Sequence, residues 1–364
     1  MKEKETSLAR NYAARLLRES LEDPKRLLNE KKFLKPDFFP LYLKRATELA
    51  RHEPHRALEY LEPAPEFGAR LADTHPRENG ADFLILGHSH LGNAYQRLNR
   101  RPQAQEQFDL ASVYRDRASP IALAKHLRYY AVLCIYQRRP EAFELLNEAM
   151  AIFKRGSLVH RHEFGECLVC RGIAYDEFNQ PEKTLGDFTA ALNHLSLQEN
   201  ATSYYCAIHN LGVYALRHGT DDDVREAVAN LRMARGILAG VNRHKYAKIC
   251  MRWVFGLFAF RLGEDGDAQT KFLDVAKAFQ RMKLPFELAC VRLDLCRLYL
   301  RQGKLDKVRD LVKETAQSFR KLGDDEKVTA AYALWREAFS RKVSDQHLVE
   351  TRERFFERKE VRAA

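Results

Sequence analysis

Apolar residues along this chain fall at helical spacing in segment after segment, and the segments come in pairs separated by a short polar corner carrying Pro or Gly. The clearest pair lies in Leu91 to Ala111, LGNAYQRLNRRPQAQEQFDLA. Leu91, Gly92 and Tyr95 form the packing stripe of a first helix, and Ala104, Phe108 and Ala111 that of a second, with NRRP as the corner. Gly92 permits the close approach, while Tyr95 and Phe108 fill the space beside it. The corner recurs as QRRPEA around Pro140, FNQPEK around Pro181, RHGTDDD around Gly219, RLGEDGDA around Gly263 and RQGKLDK around Gly303, at intervals of about 40 residues. Counting from each corner assigns the later packing residues. They are Tyr130, Leu133, Ala142, Leu146 and Ala149, then Gly172, Tyr175, Phe188 and Ala191, then Leu211, Gly212, Ala227, Leu231 and Ala234. A fifth copy offers Gly256, Ala259, Ala268, Phe272 and Val275, and a sixth Cys296, Tyr299, Val308, Val312 and Thr315. In the fourth copy Asp221, Asp222 and Asp223 read as a short acidic insertion that displaces the pattern.

The flanks are less regular. Leu8, Ala13, Leu16, Leu17 and Leu21 predict a helix from Glu5 to Leu21, which Pro24 closes. KKFLKPDFFP, residues 31–40, reads as an aromatic connector packed on the next helix. A degenerate helix pair comes after it, Leu41 to His52 and Pro54 to Thr74, its second helix interrupted by Pro63 and Pro65. After the sixth copy, Lys327 to Phe339 and Gln346 to Lys359 read as a more polar closing pair. The expected division is an N-terminal helical segment and connector (1–36), a degenerate pair (37–80), the repeats (81–321) and C-terminal capping helices (322–364).

On the spacing L-G-x2-Y followed by A-x3-F and A, the region 81–321 resembles the tetratricopeptide repeat superfamily, in a variant whose repeats run nearer 40 than 34 residues. That variant is similar to the helical sensor arms of some bacterial transcription regulators and to stand-alone bacterial repeat proteins. Two departures stand out: the proline that often ends a 34-residue repeat is absent, and the Leu-Gly pair is intact only at Leu91-Gly92 and Leu211-Gly212. The resemblance implies an all-α fold, a right-handed α-α superhelix of antiparallel helix pairs. It also implies a concave groove lined by the first helix of each pair. The groove residues it selects are His90, Asn93, Gln96, Arg97, Arg128, Glu166, His209, Asn210, Trp253, Arg297 and Arg301, with Val169 and Leu257 as apolar candidates that suit the core equally well. Arg, Asn and His along such a groove hydrogen-bond an extended peptide or its carboxylates, Arg in bidentate fashion. Asn93 matches a position with which chaperone-binding members hold a terminal carboxylate, but the basic residues that accompany it there are not reproduced.

Composition changes this picture little. No stretch of the 364 residues reads as a Gly-, Ser- and Pro-rich linker, which suits a fold whose core grows in one dimension. The opening MKEKETSLAR lacks the apolar core of a secretory signal, and Trp253 to Phe260 is far short of the roughly 20 residues that span a bilayer, so a cytoplasmic protein without membrane attachment is expected. The net charge of +11 reads as diffuse, with a mild excess at both ends; alone it speaks to solubility and non-specific attraction, so nucleic acid is not the expected partner.

The candidate chemistry is thin. Seven cysteines, all within predicted helices, suit reduced, buried thiols. Cys167-x2-Cys170, with His160 and His162 nearby, is the one spacing that invites metal or redox chemistry, yet residues three apart share a helix face and normally pack. His88 and His90, two apart, point to different sides. No metalloprotease, phosphate-loop or nucleophile-elbow motif occurs, so neither an enzyme nor a cofactor or metal site is expected. The expected function is a non-catalytic scaffold holding a peptide or helix of another protein in the groove. The alternative is the sensor or effector arm of a bacterial regulatory system. The oligomeric state is left open.

Overall fold

The structure, a computed structural model, describes residues 15–50, 53–196, 201–238, 245–325 and 327–340. All regular structure among them is helical. The chain forms two compact units, Met1–Ile237 and Leu238–Ala364, and each is described by itself. The N-terminal part of the expected first helix and the expected helix Gln346 to Lys359 lie outside the described residues.

Unit 1 opens with α1 (residues 15–22), α2 (Arg26–Asn29) and a 3-10 turn (Lys31–Phe33), then α3 (Phe38–Leu49). The aromatic connector is core: Phe33, Phe39 and Tyr42 are fully buried, and Phe39 meets Phe67 and Phe83 edge-on at 5.2 and 5.7 Å. Tyr42 donates its hydroxyl to the Tyr60 carbonyl at 2.5 Å, and burial pushes its phenol far above the usual range. Pro63 splits the next stretch of chain into α4 (Pro54–Leu61) and α5 (Ala64–Thr74). α5 lies directly on α6 (Gly80–Arg97), because a Cβ on Gly68 would stand 2.6 Å from the Phe83 carbonyl oxygen and one on Gly87 2.8 Å from that of Ala64.

Four helix pairs come next: α6 with α7 (Arg101–Ser112), α8 (Pro120–Tyr136) with α9 (Glu141–Arg155), α10 (Arg161–Glu177) with α11 (Pro181–His194), and α12 (Ala201–His218) with α13 (Asp221–Leu238). The first three corners share one geometry. Asn99, Arg138 and Asn179 adopt φ of 56, 54 and 55°, and the next amide returns to the carbonyl five residues back: Arg100 to Tyr95, Arg139 to Cys134, Gln180 to Tyr175, at 2.7–2.9 Å. This left-handed stop satisfies carbonyls that the helix end leaves open. The fourth corner differs. Thr220 caps α13, with Asp223 Oδ2 accepting from its amide and hydroxyl, both at 2.7 Å, so the acidic triplet forms the first turn of the helix, where the dipole favours it.

Unit 2 contains α14 (Lys245–Leu262), α15 (Asp265–Arg281), α16 (Pro285–Arg301), α17 (Leu305–Lys321) and α18 (residues 327–340). Its left-handed residues, Gly263, Lys283, Gly303 and Gly323, stop helices at both ends of the pairs. The close approach assigned to Gly92 recurs in both units: a Cβ there would stand 3.1 Å from the Phe108 ring, on Gly172 2.6 Å from Phe188, and on Gly256 2.8 Å from Phe272. The assigned residues of the second helices, among them Ala142, Leu146, Ala191, Ala268, Val275, Val308 and Val312, are buried. The fold is thus a tetratricopeptide-like series of antiparallel helix pairs. No helix among the described residues is long and apolar enough to cross a membrane.

Candidate partner-binding face

In unit 1 the first helices of successive pairs, α6, α8, α10 and α12, lie side by side, and polar side chains link each to the next. His90 of α6 meets the Tyr129 ring of α8 edge-on at 5.0 Å. The neighbouring Arg128 pairs through Nη2 with Glu166 Oε2 of α10 at 3.0 Å, and Glu166 Oε1 accepts from the Ser203 hydroxyl of α12 at 2.5 Å. Of the expected groove residues this seam brings together His90, Arg128 and Glu166. Ser203 was not foreseen, although a signal existed: 90, 128, 166 and 203 are each one repeat apart.

The seam is largely removed from water. The Arg128 and Glu166 side chains are 11% and 16% exposed. Burial works against the Arg128 charge, but the carboxylate of Glu166 more than offsets it and holds the guanidinium above its usual range. The guanidinium also lies over the Tyr129 ring, 4.5 Å from its centroid. Lys125, one turn earlier on α8, is pulled down by burial, with Arg128 and Lys44 adding to the effect and Glu163 and Glu166 opposing it. Burial, reinforced by Lys125 and Arg128, takes His90 down to about 3, so its ring is neutral at ordinary pH. Its Nδ1 shares a hydrogen bond of 2.6 Å with Thr47 Oγ1 of α3, so the N-terminal segment reaches one end of the seam.

Three buried polar atoms on α6 and α8 have no hydrogen-bond partner: Asn93 Nδ2, Gln96 Oε1 and Arg128 Nε. Two are donors and one is an acceptor. Leaving such groups dry and unpaired costs about 1–3 kcal/mol each. The remaining unit 1 candidates fall elsewhere: Arg97 is exposed towards the end of α6, and His209 and Asn210 are half-buried on α12.

Other polar residues are accounted for by packing. Ser89 and Ser112 hold the two nitrogens of His126 at 2.8 and 3.2 Å between α6, α7 and α8, and burial takes that ring down to about 4. His88, two residues from His90, points the other way, bonding Gln107 at 2.9 Å and stacking on Tyr114. Cys167 is fully buried, which pushes its thiol well up, and Val169 and Leu257 are buried as well. Among the described residues no three His, Cys, Asp or Glu are arranged to hold a metal.

In unit 2 the corresponding candidates are engaged internally. Trp253 Nε1 of α14 donates to Asp294 Oδ2 of α16 at 2.8 Å, and Arg297 Nη1 donates to Asp294 Oδ1 at 2.7 Å. Asp294, 2% exposed, is the anchor that sequence reasoning missed, though it too stands one repeat after Trp253. Arg301 donates to the Phe260 carbonyl at 2.6 Å, pairs with Asp265 and covers the Phe260 ring at 3.7 Å.

No protein-family model matches the chain, and no curated protein matches it. Among solved structures it is similar to one described as a Rap protein complexed with Competence and Sporulation Factor, at 14% identity and a TM-score of 0.58, over 86% of this chain and 89% of that one. A second, the apo form of RapI, aligns at 13% identity and a TM-score of 0.47, over 93% and 99%. The first of these likenesses shows a shared helical-repeat fold.

Proposed function

We propose that the α6–α8–α10–α12 face of unit 1 binds an extended segment of another protein, and that the chain is a non-catalytic interaction scaffold. The observation that carries this reading is the trio of buried, unpartnered atoms, Asn93 Nδ2, Gln96 Oε1 and Arg128 Nε, on the same two first helices that open the His90–Arg128–Glu166–Ser203 seam. A peptide backbone offers both the carbonyls and the N–H groups that these atoms lack. A neighbour of the same fold having been solved with a bound factor supports the same reading. A sensor or effector role is the second reading. It is favoured by the Thr47 contact to His90, through which a segment seated on the seam would be felt by α3.

The test is selection of hexapeptides from a displayed library on the full chain, followed by affinity measurement of the winners on two variants. Asn93→Leu removes an unpaired buried amide and leaves folding stability equal or higher, while each lost hydrogen bond weakens peptide binding by about 10-fold. Arg128→Met, which strips the seam of its cation, abolishes it. Winners that bind both variants within about 3-fold of the parent would remove this face from consideration.

A further inference from the structure

The net charge is not diffuse. Residues 238–364 hold 27 Lys and Arg against 18 Asp and Glu, a net of +9, which leaves +2 for residues 1–237. Within unit 2 much of the excess gathers at one end of the α14–α17 bundle. That end is fixed by ring contacts: Tyr246 of α14 stands 6.1 Å from Phe279 of α15, its hydroxyl reaches Glu287 of α16 at 3.3 Å, and Phe286 meets Phe319 of α17 at 6.3 Å. Within a turn or so of these contacts stand Lys245, Lys248, Lys277, Arg281, Lys283 and Lys321, all exposed. None of the six pairs with a carboxylate among the described residues. Carboxylates close to them in the chain, Asp274, Glu287 and Asp324, are taken by Arg252, Tyr246 and Lys327.

Helix-end electrostatics explains only part of this. Cations at the C-terminal ends of α15 and α17, such as Arg281 and Lys321, suit the helix dipole, but Lys245 and Lys248 stand at the N-terminal end of α14, where the dipole repels them. Six like charges on one edge also repel one another, and an anionic partner removes that repulsion. Five of the six are lysines. Lysine is depleted at protein–protein interfaces, where arginine and aromatics prevail, but it serves phosphates well as a point charge. The large exposed apolar side chains close to them are few, Leu273 one turn before Lys277 and Tyr332 beside Arg320, whereas firm attachment to a bilayer needs apolar insertion besides charge.

We infer that the α14–α17 edge carrying Lys245, Lys248, Lys277, Arg281, Lys283 and Lys321 binds the phosphate backbone of duplex nucleic acid without reading its sequence. Contacts of this kind release counterions, so about four to five of them give a salt dependence with a log–log slope of about −4. This edge belongs to unit 2, and the inference does not rest on the function proposed for unit 1.

The test uses the full chain and fluorescein-labelled 20-base-pair duplexes of two unrelated sequences, read by anisotropy from 50 to 200 mM salt. Both duplexes bind within about 3-fold of one another, with the slope above. Exchanging Lys248, Lys277, Arg281, Lys283 and Lys321 for Gln weakens binding at least about 100-fold and flattens the slope, while Lys→Arg at the same lysines retains it. A control removes the same charge from unit 1 by exchanging the exposed Lys25, Lys31, Arg100, Lys154 and Arg155 for Gln, and changes affinity less than about 3-fold. The inference fails if the duplexes do not bind at 50 mM salt, if the control loses as much as the edge variant, or if polyglutamate or phosphatidylserine vesicles bind more tightly than duplex.

Discussion

Arg128 in unit 1 and Arg297 in unit 2 both stand on the first helix of a pair and both meet a carboxylate, yet the buried partner differs. Arg128 is itself 11% exposed and keeps one nitrogen without a partner, as does Asn93 on α6. Arg297 is 39% exposed and covers a buried acid, Asp294, which also takes the Trp253 indole. The Trp253–Asp294 bond thus ties adjacent first helices together in unit 2, whereas hydrogen-bonding capacity stays open in unit 1. Buried groups with complete partners are structural; those still lacking them are where a ligand gains most.

The largest effect is expected at Asp294. Asp294→Ala leaves the Trp253 N–H buried without an acceptor and removes a charged hydrogen bond, for a loss of about 3–4 kcal/mol in unit 2. Denaturant unfolding followed by tryptophan fluorescence measures it, and Asp294→Asn recovers part of the loss by keeping an acceptor for the indole. A loss under about 1 kcal/mol would mean that Trp253 does not depend on this acid.

A smaller effect probes the unit 1 face through pH. His90 and His126 titrate at about 3 and about 4 in the folded chain, against about 6.5 when unfolded. The unfolded chain therefore binds more protons below pH 6.5, and stability falls as pH falls through that point, at a limiting slope of about 1.4 kcal/mol per unit for each ring. Between pH 7.5 and 5.5, above the range where carboxylates titrate, each imidazole removes about 1.4 kcal/mol. Thermal melts of His126→Gln and His90→Gln each lose one ring's share of that slope; an unchanged slope in either variant would place the proton uptake elsewhere.

The repeats were legible because steric demands recur in the letters. Gly92, Gly172 and Gly256 each face a Phe sixteen residues later, a relation that survives wherever two helices must touch closely. Seam partners were less legible. Ser203 and Asp294 are ordinary helix residues as letters, and only the geometry of adjacent first helices shows that each answers a residue one repeat earlier. The resemblance pointed to groove positions but carried no information on which of their hydrogen bonds the chain satisfies for itself. The lysine edge of unit 2 is not legible in the letters because its members, from Lys245 to Lys321, are spread over three helices and a corner and converge only at the helix ends.

The smallest effect lies in the contrasting corners of the two units. Gly263 and Gly303 supply the left-handed stops of unit 2, whereas unit 1 uses Asn99, Arg138 and Asn179 at the same step. Arg has no side-chain group that favours this conformation, so Arg138→Gly relieves local strain and stabilises unit 1 by about 0.5–1 kcal/mol. The substitution also removes the Arg138–Glu177 pair, whose Arg is 51% exposed and which contributes little in water. Introducing Glu177→Gln in parent and variant separates the two contributions. Asn179→Gly gains less, since Asn tolerates the left-handed region better than Arg. A destabilised Arg138→Gly in the Glu177→Gln background would mean that the corner is held by its side chain rather than by its backbone.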